Sequence, residues 1–229
     1  MRSLLSGLTP RHFLALILVL YVTLALAYNA ANPLLEAPDE VLHYDIVRYL
    51  QRERELPVVR LEEPLSEYHQ PPLYYAAAGI LTAWVPTDDY PRHVLRNPFW
   101  AYAIGSVGND NKNQYLHGPN QRFPYHGAAL AVHLIRLFST VGGALAVYFT
   151  YRFVLNILPK QHPFALASAA LVAFTPNFLL TTAAVTNDSF ISMAPVAIML
   201  YMLNLLDQPD PPTPRQWAAL GILMSLAAL

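Results

Sequence analysis

Cysteine is absent from the 229-residue chain, which removes disulfides, thiolate metal sites and cysteine nucleophiles together. Charge is scarce as well. Only 13% of residues are charged and the formal net charge is -1, so no basic field exists to attract nucleic acid. Glycine is infrequent, at 9 residues, and the 20 prolines are scattered around apolar runs and loops, which excludes collagen-like and low-complexity composition. No internal repeat is visible. What the chain does have is apolar length. Its hydrophobic share is 55%, and a soluble domain would carry about 25% charged residues, so the composition is that of an integral membrane protein.

The apolar runs predict an all-α polytopic membrane protein, a single membrane domain with about five transmembrane helices. The first, 13–31, follows Arg2 and Arg11, which places the amino terminus in the cytoplasm. A cleaved signal peptide has a similar outline; Met1 at the start of the sequence favours an uncut anchor. Further spans are expected over 128–158, 164–181 and 188–206, with a fifth from 216 to 229 that is too short to cross alone. The stretch from Pro72 to Pro86 encloses about 13 apolar residues, some 20 Å of helix against about 30 Å of hydrocarbon, so it reads as an interfacial or re-entrant helix. Arg152 and Lys160 then fall on the cytoplasmic side, and the long loop 32–127 lies outside a plasma (inner) membrane. That loop holds 12 of the 15 acids, and its aromatic residues argue for order.

Four polar groups in this frame have the residue types that chemistry needs. Pro38-Asp39-Glu40 opens a predicted helix over 38–55, with His43 one turn on. Asp39, Glu40 and His43 can share one face, as a carboxylate base or as ligands of a divalent metal. Acids at a helix start that merely complement its dipole look the same. Glu67-Tyr68-His69-Gln70-Pro71-Pro72 presents His69 and Gln70 on stiff backbone before an apolar helix carrying Tyr74, which suits a headgroup contact or an ordinary helix start. His133 and Arg136 are neighbours inside an apolar helix, where the guanidinium needs a lipid phosphate or a structural ion pair. Asn187-Asp188 either joins the site or caps the next helix. A weaker group, Asn109 to Asn113 with Tyr115, His117 and Tyr125, has the character of a sugar-binding surface or an Asn-rich turn.

In order and placement these residues resemble the amino-terminal part of the GT-C membrane glycosyltransferases, glycosyltransferase family 39-like, which include the protein mannosyltransferase and aminoarabinose transferase groups. The resemblance runs from about Arg11 to Met193 and rests on Asp39-Glu40, on His69-Gln70-Pro71-Pro72-Leu73-Tyr74-Tyr75 and on His133-Leu134-Ile135-Arg136-Leu137. It implies transfer of a sugar from a polyprenyl-phosphate-linked donor to an acceptor on the extracytoplasmic side. Asp39 is then the first choice for the catalytic acid and Glu40 its neighbour; His43, His69, Gln70, Tyr74, Arg136 and Asp188 are substrate-binding candidates. Gln70 stands where relatives with aminoarabinose-transferase character often carry lysine. The implied partners are the lipid bilayer and the lipid-linked donor. A catalytically silent accessory subunit of a larger membrane complex is the competing reading, motivated by the short fifth segment. A transporter fits less well, because transporter sites lie near the midplane on broken helices.

Overall fold

A computed structural model describes residues 9–59, 66–100 and 113–229. Eight α-helices carry the described chain: α1 (Pro10–Ala31), α2 (Glu40–Glu53), α3 (Leu73–Thr82), α4 (Gly127–Ile157), α5 (His162–Ala173), α6 (Pro176–Thr182), α7 (Asp188–Leu206) and α8 (Pro214–Ala228). Among the described residues there is no strand, only an isolated antiparallel bridge between Arg96 and Tyr115. The all-α expectation holds. Three helices, α1, α4 and α7, are long and apolar enough to cross a membrane, and the pair α5–α6 makes a fourth if it counts as one span.

The stretch 164–181, where a span is expected, holds two helices, α5 and α6, bent by 62°. The cause is local: Pro176 has no N–H to continue the ladder, and Thr175 before it takes extended backbone (φ −68°, ψ 120°). Pro195, by contrast, sits inside α7 without ending it. α8, with 15 residues, covers about 22 Å and is shorter than a span, as its sequence suggests. The expected helix over 72–85 is the shorter α3, 10 residues long. It buries Tyr74, Tyr75, Ala78, Gly79 and Thr82 while Ile80 and nearby Trp84 stay exposed.

The chain divides into two compact units, one of residues 1–28, 139–183 and 187–229, the other of residues 29–138 and 184–186. The first has an apolar core of Leu14, Tyr21, Ala25, Val147, Tyr151, Ala165, Ala169, Ala173, Leu179 and Ala183. Alanines at 165, 169 and 173 repeat every fourth residue, so one face of α5 is smooth enough for close helix approach. Gly143 is required by the same closeness: a Cβ there would run into the Tyr21 hydroxyl and stand 2.9 Å from Thr182 Cβ. The Tyr21 hydroxyl donates to Thr182 Oγ1 (2.6 Å), and the Thr182 hydroxyl donates in turn to Phe178 O (2.7 Å), so this polar chain through the core is satisfied by its own helices.

In the second unit α2 packs on α3. Glu40, His43, Tyr44, Ile46 and Val47 form the buried face of α2, spaced as a helix stripe. Gln51 Nε2 donates to Gly79 O (2.8 Å) and Thr82 Oγ1 (3.1 Å), pinning the two helices. Beside them Tyr90 donates to Asp45 Oδ1 (2.8 Å), and the Arg48 guanidinium lies 3.5 Å from the Tyr90 ring centroid.

Candidate functional site

The second unit is organised around Arg136, whose side chain is fully buried. A guanidinium has five N–H groups, and each has an acceptor here. Nε donates to Glu40 Oε1 (2.7 Å) and Nη2 to Glu40 Oε2 (2.6 Å), a bidentate pair. Nη1 donates to the carbonyls of Asn29 and Asn32 (2.9 Å each), and Nη2 also to Pro33 O (3.0 Å). Asn29 and its neighbours are the last residues of α1, whose final carbonyls lack helix partners and carry the negative end of its dipole. Glu40 is the first residue of α2 and accepts one further bond, from the Val185 N–H (2.9 Å). One cation therefore closes the end of α1 and fixes the start of α2.

The guanidinium is held in a structural ion pair, and all five N–H groups already point at protein acceptors, so a phosphate would have to displace one of them. His133, one turn earlier, belongs to the same knot: Nδ1 lies 2.6 Å from Asn29 Oδ1 and the ring stacks on Tyr125 at 3.7 Å.

Asp39 and Glu40, adjacent in sequence, have opposite environments. Glu40 is fully buried; Asp39 is exposed. Asp39 occupies the position before α2 with φ 54°, ψ 8°, and its side chain makes no capping bond. Left-handed backbone at a residue with a Cβ costs about 1 kcal/mol or more, and it is held in place by the Glu40 anchor that follows. The expected dipole-complementing acids are thus one buried anchor and one presented carboxylate.

His43 is buried, contrary to a solvated surface role: Nδ1 lies 2.7 Å from the Tyr75 hydroxyl with the rings stacked. Tyr74 is buried too, against Phe138 and Tyr75. Gln70 donates to Glu67 Oε2 (2.9 Å), while exposed His69 lies 3.4 Å from the same carboxylate. Asp188 is an exposed residue of the first unit, and Asn187 before it makes no side-chain cap bond to α7. Among the described residues no three histidine or acidic side chains gather into a group that could hold a metal ion by itself. Residues 109–112 of the Asn-rich group lie outside the described residues. Of its other members, Tyr115 is buried beside the Arg96 bridge and Tyr125 stacks on His133.

Four contacts were not visible in the sequence. Glu36, three residues before Asp39, accepts from the backbone N–H groups of Gln114 and Tyr115 (2.8 Å each) and from His117 Nε2 (2.9 Å). Burial pushes the Glu36 carboxyl up, but the His117 and backbone bonds outweigh it and hold it below the usual carboxylate range. The Glu36 bond raises His117 in turn, against its partial burial. Asp89 accepts from the Ala128 N–H (2.9 Å) and so caps the start of α4 at Gly127, whose φ of +55° and Asp89-filled Cβ position suit glycine. Partners 78 to 81 residues apart leave no local signal.

Residues 131–229 match the family described as dolichyl-phosphate-mannose-protein mannosyltransferase. The matched stretch contains His133 and Arg136, and Asp39-Glu40 lies before it. No curated protein and no solved structure matches the chain.

Proposed function

We propose that the chain is a membrane glycosyltransferase of the GT-C kind, or the amino-terminal part of one, which moves a sugar from a polyprenyl-phosphate donor to an acceptor hydroxyl outside the membrane. The observation that carries this reading is the Arg136–Glu40 clamp: a residue of the family-matched stretch fixes the one turn of chain on which Asp39 is presented.

In this mechanism the exposed Asp39 carboxylate takes the proton of the acceptor hydroxyl as the acceptor oxygen bonds to the anomeric carbon. The bond from that carbon to the phosphate oxygen breaks, the electron pair leaves with the polyprenyl phosphate, and the configuration inverts. Glu40 and Arg136 are positioning residues in this reading, since all five guanidinium N–H groups and both oxygens of the buried Glu40 carboxylate are engaged within the protein. His69 and Gln70, on the short stretch before α3, are the remaining candidates for a headgroup contact. A divalent metal, if one is used, would be held by Asp39 with groups the substrate brings.

Turnover of a polyprenyl-phosphate sugar by the purified protein in lipid vesicles tests the reading. Asp39→Asn should remove a general base and lower the rate by about 10²-fold or more. A wild-type protein that binds a stoichiometric membrane complex and turns over no lipid-linked sugar would favour the accessory-subunit reading. Sidedness is tested separately, because the chain has no cysteine: a thiol introduced as Leu95→Cys, an exposed position, should react with an impermeant reagent added outside.

A further inference from the structure

Away from the clamp, four hydrogen-bonded links join two carboxylates through two imidazoles and one amide. Glu36 Oε1 lies 2.9 Å from His117 Nε2, and His117 Nδ1 2.6 Å from Gln121 Oε1. Gln121 Nε2 lies 3.1 Å from His93 Nδ1, and His93 Nε2 3.0 Å from Asp89 Oδ2. Every link needs one hydrogen. The ionised carboxylates supply none, and the Gln121 amide supplies one whichever way round it lies, because one of its ends is always an acceptor. Three hydrogens must therefore come from two imidazoles. Two neutral rings carry two and two imidazolium rings carry four.

We infer that Glu36, His117, Gln121, His93 and Asp89 form a proton-binding site that holds one proton, shared by the two histidines through the orientation of the Gln121 amide. With Gln121 Oε1 toward His117 the charge is on His117; with the amide reversed it is on His93. Losing the proton leaves one link with two lone pairs face to face. A second proton sets an N–H against the Gln121 amide donor. The pair accordingly binds its first proton more tightly than its second.

The surroundings support a single charge. The His93 side chain is fully buried and that of His117 is 18% exposed. Glu36 also takes the Gln114 and Tyr115 N–H groups, and Asp89 the Ala128 N–H. The other titratable or charged groups facing the network are Tyr115 and Arg96 near Glu36, Tyr44 near Asp89, and Arg122 and His133, which line a cavity of about 250 Å³ together with His117, Gln121 and Asn32. Bound, the proton clasps residues 117–121 to Glu36, three residues from Asp39, and to the Asp89 cap of α4. Raising the pH through its release opens one link and loosens this cavity wall. The clasp stands on hydrogen count alone and does not depend on the glycosyl-transfer reading.

The test is nitrogen NMR of the histidine rings in the detergent-solubilised protein from about pH 5 to about pH 9, with assignments from His93→Gln and His117→Gln. The expected result is two macroscopic steps at least about one unit apart. Between them, one imidazolium charge is distributed over the two rings. Gln121→Leu, which removes the amide, brings the steps together. Coincident titration of both rings in the wild type, or steps still apart in Gln121→Leu, would overturn the inference.

Discussion

The two units solve the problem of holding helices together with different chemistry. In one, alanines, a glycine and apolar side chains let helices touch, and the polar chain of Tyr21, Thr182 and Phe178 is short and self-contained. In the other, loops are fixed by ions: Arg136 on Glu40, His117 on Glu36, Asp89 on the start of α4. Shape complementarity degrades gradually when a methyl group is added or removed. A buried ion stripped of its partner fails at once. The contrast suggests why chemistry is assigned to the second unit: a presented carboxylate such as Asp39 needs a backbone that cannot drift, and charge-assisted bonds to successive carbonyls fix a backbone better than apolar contact does.

The largest effect expected from breaking this comparison is at the clamp. Arg136→Ala or Glu40→Ala leaves a buried charge unpaired and should cost about 3–5 kcal/mol in thermal or denaturant unfolding of the solubilised protein. Glu40→Ala with Arg136→Ala should be milder than the sum of the two, because the double variant strands no ion. Simple additivity would show that the two side chains do not depend on each other.

Overpacking the other unit comes next. Gly143→Ala should destabilise by about 1–3 kcal/mol through the clash with Tyr21 and Thr182, and Tyr21→Phe in the same chain should recover part of the loss. No recovery would mean the helices are not as close as the glycine implies.

A smaller effect, about 1 kcal/mol, is expected from the Glu36–His117 pair, and it depends on pH. His117 is raised, so its contribution is complete below about 6.5 and is lost as the pH rises through the folded-state value. Glu36 is lowered, so its contribution is present above about 4.3 and is lost as the pH falls through its folded-state value. The pair is therefore most stabilising between those limits, and His117→Gln should remove the alkaline decline from a stability–pH curve. The smallest effect is at the capping box of α8, where Thr213→Ala should cost about 1 kcal/mol, seen as a small drop in the unfolding midpoint.

How much the sequence disclosed follows the same division. The long spans were legible because hydropathy and length dictate them: 13–31 and 128–158 were expected where α1 and α4 lie. The bend at Thr175-Pro176 was missed because the apolar run continues through it, although Pro176 was the available signal. At the candidate site the residue types were legible and the partners were not. Asp39 and Glu40 are indistinguishable in a sequence, since an acidic first turn fits both a dipole complement and a buried anchor. Only the fold brings Arg136, 96 residues away, onto one of them. Asp89 and His93 form a local pair four residues apart, but what Glu36, Asp89 and His93 hold, Gln114 to His117, the start of α4 and Gln121, is brought to them only by the tertiary structure.

Transfer from a polyprenyl-phosphate sugar by wild-type protein and by Asp39→Asn, measured alongside their unfolding midpoints, tests the central claim most directly. The clamp-and-carboxylate account predicts a rate lower by about 10²-fold or more with the midpoint unchanged, since Asp39 is exposed and its side chain holds nothing in the fold. Near-wild-type turnover by Asp39→Asn would contradict it.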